Sequence, residues 1–121
     1  MTKVSDREWT VLEALWNREH AELGELVTAL APHTGWNRNT VLTYLTRMEA
    51  KGLVRIDKGE TPHRYCAALD REACRAQERR SFLNRVYQGS AGAMVTAFLK
   101  EEPLSKEERD QLRQLLDDME V

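Results

Sequence analysis

Cysteine is scarce in this chain, and its scarcity excludes two classes of protein. Only Cys66 and Cys74 occur among the 121 residues, which is too few for a disulfide-stabilised scaffold. The two also lack the paired C-x2-C spacing of structural zinc sites. We therefore expect free thiols and a fold that depends on an ordinary apolar core.

Long apolar runs are also missing. No segment approaches the ~20 consecutive apolar residues that a membrane-spanning helix needs, and the first six residues lack the hydrophobic stretch of a signal peptide. We therefore expect a cytoplasmic protein without membrane insertion. The composition, 41% apolar and 31% charged, is typical of a folded chain. Its length suits one domain, or a module of about 70 residues with an appendage.

Enzyme signatures are absent from the sequence. It contains no glycine-rich phosphate loop, no G-x-S-x-G and no H-E-x-x-H motif, so the usual residues of those chemistries are missing. His20, His33 and His63 lie in or beside predicted loops without metal-ligand spacing. We expect no catalytic residue, no metal and no cofactor. A metal-responsive regulator stays open as an alternative, because His63, Cys66 and Cys74 are ligand types that suit zinc or copper.

The net charge of −2 argues against indiscriminate affinity for nucleic acid, but the charges are unevenly distributed. Residues 1–35 contain three basic and six acidic side chains, and residues 65–121 contain nine and eleven. Residues 36–64 contain six basic and three acidic side chains. The middle of the chain is therefore the only net-positive part, and any electrostatic footprint for DNA belongs there.

Two helices are predicted in the first quarter of the chain, where apolar residues recur at three- and four-residue spacing. Ser5 and Glu8 have the spacing of a capping box and begin the first helix, which runs to about Arg18. The second covers residues 22–30. It should end before Pro32, because proline lacks a backbone donor and clashes with the preceding turn.

A third helix has one apolar side and one polar, cationic side. Asn37 is a favoured N-cap and Gly52 a favoured residue just past a helix end. At 100° per residue, Val41, Leu45 and Met48 share the apolar side. The candidate DNA-binding residues occupy the opposite side, its flanks and the two ends of the helix: Arg38, Asn39, Thr40, Thr43, Tyr44, Arg47 and Lys51.

A β-hairpin is predicted directly after this helix. Residues 53–57 and 63–67 are rich in Val, Ile and Tyr and are separated by the five residues 58–62. Lys58, His63 and Arg64 place hydrogen-bond donors at or near the hairpin tip. Three helices followed by a hairpin are typical of a winged helix-turn-helix domain.

The predicted third helix suits a DNA groove chemically. Asn can pair with adenine, Arg with guanine, and Thr with base edges or the thymine methyl. We predict that Asn39 and Thr43 read bases. The expected phosphate ligands are Arg47, Lys51, Lys58 and Arg64. A winged-helix protein-interaction module is the alternative, because such domains also dock proteins and the chain is not basic overall.

Residues 70–121 are predicted to be helical throughout, with helix starts at Asp70, Ser90 and Ser105. About 50 residues are too few for a confident independent core. We therefore expect a winged-helix domain over 1–69 and a three-helix homodimerisation domain over 70–121, giving a mainly α fold with a small β-hairpin wing. A symmetric dimer predicts an inverted-repeat operator. The expected interface residues are Phe82, Val86, Met94, Phe98, Leu112, Leu115 and Leu116.

These motifs together resemble the penicillinase and methicillin-resistance repressor family of winged-helix regulators. The resemblance runs from about Ser5 to Met119. It rests on the order of several short motifs: Glu8-Trp9, Leu15-Trp16, Gly35-Trp36-Asn37, Thr40-Val41-Leu42-Thr43, Arg47, Lys51-Gly52-Leu53-Val54, Arg64-Tyr65, Gly89-Ser90, Phe98-Leu99 and Leu104-Ser105. It implies a dimeric transcriptional repressor that sits on a double-stranded DNA operator until a signal releases it.

The same resemblance implies a route for that signal. In the antibiotic-resistance branch, a membrane-anchored metallopeptidase sensor system leads to cleavage of the repressor in its dimer domain. The matching bond here is Ala97–Phe98. Because that branch has Asn before the Phe, cleavage at this bond is a hypothesis. The copper-responsive branch typically ends in a C-x-C cluster, which residues 115–121 lack, so copper sensing is disfavoured.

Overall fold

A computed structural model describes residues 3–119. Within them, helices and strands follow in the order α1 (Asp6–Trp16), β1 (Ala21–Glu22), α2 (Leu23–Thr34), α3 (Arg38–Ala50), β2 (Val54–Asp57), β3 (Arg64–Ala67), α4 (Arg71–Val86), α5 (Ala91–Glu101) and α6 (Lys106–Asp118). The chain divides into two compact units between Arg75 and Ala76, inside α4.

Helix α1 begins with the predicted capping box. The Ser5 hydroxyl accepts a hydrogen bond from the Glu8 backbone N–H (3.2 Å), and Glu8 Oε1 accepts one from the Ser5 N–H (2.9 Å). These bonds satisfy two backbone donors that the helix itself leaves unpaired. Past its first turn, α1 buries Val11, Leu12 and Leu15.

Helix α2 continues through Pro32, so the prediction that it ends before this proline is wrong. It extends from Leu23 to Thr34, and the exposed Pro32 lies in its last turn, where the missing N–H removes only one helical hydrogen bond. Gly35 ends the helix with φ +68° and donates its N–H to the Ala31 carbonyl (2.9 Å). Glycine adopts this left-handed conformation without steric cost.

Helix α3 is capped as predicted. Asn37 Oδ1 accepts a hydrogen bond from the Thr40 N–H (2.9 Å) at the first turn. At the other end Gly52 takes φ +80°, and the Leu53 N–H donates to the Met48 carbonyl (2.9 Å). Two residues, Gly52 and Leu53, thereby connect the C-cap residue Lys51 to β2.

The wing belongs to a three-stranded antiparallel sheet with the order β1-β3-β2. In the predicted hairpin, Val54 lies opposite Ala67 and Asp57 opposite Arg64, so His63 falls in the loop. On the other edge of β3, Ala21 of β1 pairs with Tyr65. The prediction missed β1, because a strand of two residues has no alternating pattern.

One apolar cluster joins α1, α2, α3 and the sheet in the first unit. Its members are at most 4% exposed: Val11, Leu12, Leu15, Ala21, Leu26, Leu30, Val41, Leu45, Met48, Leu53, Val54 and Tyr65. Three of them come from α3. The cluster therefore fixes which side of α3 faces solvent.

The second unit contains the rest of α4 together with α5 and α6, and between Ala76 and Met119 it has no fully buried side chain. The rings of Phe82 and Phe98 are stacked with centroids 6.4 Å apart. The Ser90 hydroxyl caps α5, and Ser105 with Glu108 forms a capping box on α6. Several large apolar side chains are 38–59% exposed: Val86, Val95, Phe98, Leu99, Leu104, Leu115, Leu116 and Met119.

Both cysteines are free thiols. Cys66 lies half-buried in β3, and Cys74 is buried in α4, where burial and the nearby charge of Asp70 raise the pKa of its thiol. Among residues 3–119, no group of three or more His, Cys, Asp or Glu side chains is placed to hold a metal ion. Nor does this part of the chain contain a helix long and apolar enough to cross a membrane.

Candidate nucleic-acid interface

Helix α3 separates its apolar and polar residues as the helical wheel predicts. Val41, Leu45 and Met48 are 0% exposed. Four of the predicted DNA-binding residues of this helix are exposed to solvent: Arg38, Asn39, Thr43 and Arg47. Thr40 and Tyr44 are half-buried on one flank. The structure therefore presents a surface of amide, hydroxyl and guanidinium groups on a rigid helix.

Thr43 lies near the centre of this surface, and a hydrogen bond within the helix orients its hydroxyl group. Its Oγ1 donates to the Asn39 carbonyl oxygen (2.9 Å) one turn earlier. The hydroxyl proton is therefore used within the helix, while the oxygen keeps its capacity to accept a hydrogen bond and the side chain remains exposed. Thr43 is thus suited to accept a hydrogen bond from a base amino group or to contact a thymine methyl.

Tyr44 joins α3 to α1. Its ring is stacked on Trp36, with centroids 4.7 Å apart and an interplanar angle of 22°. Its hydroxyl accepts a hydrogen bond from Nη1 of Arg7 (3.3 Å). The exposed Arg7 side chain therefore lies beside the polar surface of α3, although it belongs to the net-acidic first part of the sequence.

Lys51, which is predicted to bind phosphate, contacts α1 and the residues before it in this structure. Its Nζ lies 2.7 and 2.8 Å from the two carboxylate oxygens of Glu8 and 3.1 Å from the Lys3 carbonyl oxygen. The Glu8 side chain is only 9% exposed. Burial by itself raises the pKa of Glu8, but the hydrogen bonds from Lys51 and Ser5 and the charge of Lys51 outweigh it, so the pKa is lowered overall. Lys51 thus ties the end of α3 to the start of α1.

The wing tip carries charges of both signs. Lys58 Nζ lies 3.5 Å from Glu49 Oε1 in an ion pair exposed to solvent, which links the wing to the last turn of α3. Asp57 Oδ1 accepts a hydrogen bond from the Gly59 N–H (2.9 Å) and shapes the turn. His63 and Arg64 are exposed.

The structure brings the predicted DNA-binding residues of α3 and the wing into one unit. Sequence reasoning missed Arg7 and Glu49. No sequence signal identifies Arg7, because its contact is 37 residues away. Glu49 was visible only as an acidic residue on the flank of the third helix, and its partner in the wing becomes apparent only once the hairpin is folded.

The predicted dimer residues lie in the second unit. Phe82, Met94 and Leu112 are half-buried, whereas Val86, Phe98, Leu115 and Leu116 are exposed. The Ala97–Phe98 bond lies within α5, where the Phe98 carbonyl accepts a hydrogen bond from the Glu102 N–H (2.8 Å). A protease would therefore meet this bond in a helix.

A capped helix with an outward polar face, packed on two further helices and followed by a β-wing, defines a winged-helix domain, the fold of a large class of DNA-binding regulators. A family model described as "Penicillinase repressor" matches residues 4–118. The chain belongs to the penicillinase repressor family, which consists of DNA-binding transcriptional repressors and not of enzymes.

Named relatives agree with this assignment. The penicillinase repressor of Bacillus licheniformis is 30% identical over 116 residues, covering 96% of this chain and 91% of that protein. The penicillinase repressor of Staphylococcus aureus is 26% identical over 117 residues, covering 97% and 93%. The methicillin resistance regulatory protein MecI of Staphylococcus aureus strain N315 is 25% identical over 114 residues, covering 94% and 93%.

Solved structures share the fold. The solution structure of the DNA-binding domain of the repressor BlaI aligns with a TM-score of 0.51 at 26% identity, covering 59% of this chain and 90% of that one. Bordetella bronchiseptica BpsR aligns with a TM-score of 0.50 over 97% of this chain and 76% of its own. Its identity is 20%, so it supports the fold alone.

Proposed function

We propose that this chain is a homodimeric transcriptional repressor that binds an inverted-repeat operator, with α3 in the major groove and the 58–64 wing against the DNA backbone. The observation that carries the proposal is the division of α3: three apolar side chains are 0% exposed, while Arg38, Asn39, Thr43 and Arg47 are exposed. A helix of this width fits the major groove, and these are the side-chain types that contact base edges and phosphates.

Within this proposal, Asn39 and Thr43 contact bases, with Arg38, Thr40 and Tyr44 around them. Arg47, Lys58, His63 and Arg64 provide backbone contacts. We assign Lys51 a structural role in attaching the end of α3 to α1, because its ammonium group forms an ion pair with the Glu8 carboxylate. Lys58 has to exchange its exposed pair with Glu49 for a phosphate. That exchange costs little, since exposed ion pairs contribute only about 0–1 kcal/mol.

Two further observations support the homodimer over residues 70–121. The second unit has no fully buried residue between Ala76 and Met119, so its helices gain little stability from packing on each other. Eight of its large apolar side chains are 38–59% exposed, and large exposed apolar patches mark interaction sites. A second copy of the same surface covers them with the two-fold symmetry that an inverted repeat requires.

The proposal is tested by DNA binding measured against salt. Fluorescence anisotropy with the duplex upstream of the protein's own gene should show binding that weakens linearly in log Kd as log salt rises. A scrambled duplex of equal length should bind more weakly at every salt concentration. Equal affinity for both duplexes, or no binding at about 50 mM salt, would instead favour the protein-interaction module.

Thr43→Ala should relax base preference at one position in each half-site by about 1–3 kcal/mol. The hydroxyl proton already bonds the Asn39 carbonyl, so the oxygen and the methyl group are the parts of Thr43 left to contact a base. Thr43→Ser removes the methyl group and keeps the oxygen, whereas Thr43→Val removes the oxygen and keeps a methyl group. Comparing the two variants shows which group carries the base preference. The measurement is selection from a randomised operator library. An unchanged preference profile in the alanine variant would remove Thr43 from the base-reading residues.

We further propose that a membrane-anchored metallopeptidase sensor system leads to cleavage of the Ala97–Phe98 bond, and that this cleavage releases the repressor from the operator. The bond lies inside α5, so cleavage requires local opening of that helix. Val95→Pro should unravel the helix around the bond without changing either flanking residue, and should therefore speed cleavage by added protease. Immunoblotting during induction is the decisive measurement, because a full-length chain while the target gene is expressed rules this switch out.

A further inference from the structure

Arg7 is held beside α3 by two aromatic residues. Its Nη1 donates to the Tyr44 hydroxyl (3.3 Å), and the Tyr44 ring is stacked on Trp36 with centroids 4.7 Å apart. Both rings are half-buried and pack against the apolar cluster of the first unit. The group that holds Arg7 is therefore itself fixed by the core.

The charge of Arg7 is available to a ligand. Its side chain is exposed, and among the contacts of residues 3–119 it has no carboxylate partner. The hydrogen bond to Tyr44 and the interaction with its phenol raise the pKa of Arg7. The adjacent Glu8 carboxylate is paired with Lys51, which reduces the negative potential that it adds at this site.

Arg7 and the wing lie on opposite flanks of α3. Tyr44, which holds Arg7, lies about 100° from Thr43 in one direction around the helix, and Glu49, which holds Lys58 of the wing, lies about 120° from Thr43 in the other. The outward face with Thr43 lies between them on the wheel. A helix in the major groove is bordered by phosphates of both strands, so each flank faces one backbone.

We propose that Arg7 is a further DNA-binding residue, contacting a phosphodiester group on the backbone opposite the wing, and that Tyr44 and Trp36 position it there. The proposal rests on the proposed function of α3. It extends the interface to the first turn of α1, in a part of the chain whose net charge is negative. Such a contact adds affinity for any duplex without selecting a sequence.

Arg7→Gln should weaken binding to specific and scrambled duplexes by similar factors. It should lower the slope of log K against log salt by about 0.9 per protomer, so that the loss of affinity between about 50 and 200 mM salt becomes about 3-fold smaller per protomer. Arg18→Gln is the matched control, because Arg18 is an exposed arginine just past the other end of α1. It makes the same charge change and should leave the slope unchanged.

Tyr44→Phe separates positioning from charge, since it keeps a ring for stacking and removes only the hydroxyl that accepts from Arg7. It should lower the affinity less than Arg7→Gln, and its effect should be smaller in an Arg7→Gln background than in the unmodified protein, because the positioning of Arg7 is then no longer lost. Circular dichroism should show both variants folded. A slope equal in the Arg7→Gln and Arg18→Gln variants would overturn the proposal, whereas absence of salt-dependent binding by the unmodified protein would overturn the proposed function itself.

Discussion

Leu116→Glu is expected to convert the repressor into monomers and to weaken binding to an inverted-repeat operator by about 10²–10⁴-fold. In the proposed dimer two reading helices are tethered, so the second half-site is bound in an effectively intramolecular step. The Leu116 side chain is 59% exposed in the single chain and lines an apolar groove of about 230 Å³ with Leu99, Leu104 and Leu112. A carboxylate placed in that surface would have to be desolvated on association.

The control is Gln114→Glu, which adds the same charge to the same helix. Gln114 is exposed and lies two positions before Leu116, about 160° away around α6. Analytical ultracentrifugation should give a monomer for Leu116→Glu and a dimer for the control. Circular dichroism should show that both retain their helices. A Leu116→Glu protein that is still dimeric at micromolar concentration would place the interface elsewhere.

The affinity of this variant for a single half-site provides a second readout. It should equal that of the unmodified protein, because the first unit with its own apolar cluster carries α3 and the wing. A parallel loss of half-site affinity would show that the substitution disturbs the first unit, and not only the association of two copies.

Local features of this fold were readable from the sequence. The Ser5 to Glu8 capping box, the Asn37 cap and the apolar side of α3 all depend on residues within one or two turns, where spacing determines geometry. Pro32 misled the prediction because its effect depends on position: one residue in the last turn forfeits a single hydrogen bond, and Gly35 determines the end.

Contacts between distant segments were not readable. Lys51 and Arg7 are both exposed cations, and charge alone makes either a candidate for phosphate. Their partners are 43 and 37 residues away, and packing of α1 against α3 decides which cation receives a carboxylate and which a phenol. The sequence therefore indicated which side of α3 is exposed, but not which partners Lys51 and Arg7 have beside it.

Glu8→Gln should lower the free energy of unfolding at pH 7 by about 2–3 kcal/mol, as expected for a charged group with several hydrogen bonds at a nearly buried position. Glu8 accepts from the Ser5 N–H and from Lys51, and its side chain is 9% exposed. The Lys51 side chain is 39% exposed, so solvent screening keeps the contribution below that of a fully buried pair. Urea unfolding followed by circular dichroism measures the difference.

Glu25→Gln is the matched control. Glu25 occupies the same capping-box position on α2, accepts from the Glu22 N–H (2.8 Å) and is exposed. Its replacement should cost about 1 kcal/mol or less, the usual contribution of a helix cap. Equal losses in the two variants would show that the pair with Lys51 adds nothing to the cap of α1.

The same pair should make stability fall in acid. Because the pKa of Glu8 is lowered in the folded protein, its contribution is complete above the unfolded pKa of about 4.3 and is lost as pH falls through the folded value. The Glu8→Gln variant should therefore lose less stability between about pH 5 and pH 3 than the unmodified protein. Lys51→Gln should show the same flattening and an unchanged salt slope of DNA binding. If Lys51→Gln instead reduced the slope of log K against log salt, Lys51 would be a phosphate ligand that leaves Glu8 for the DNA backbone on binding.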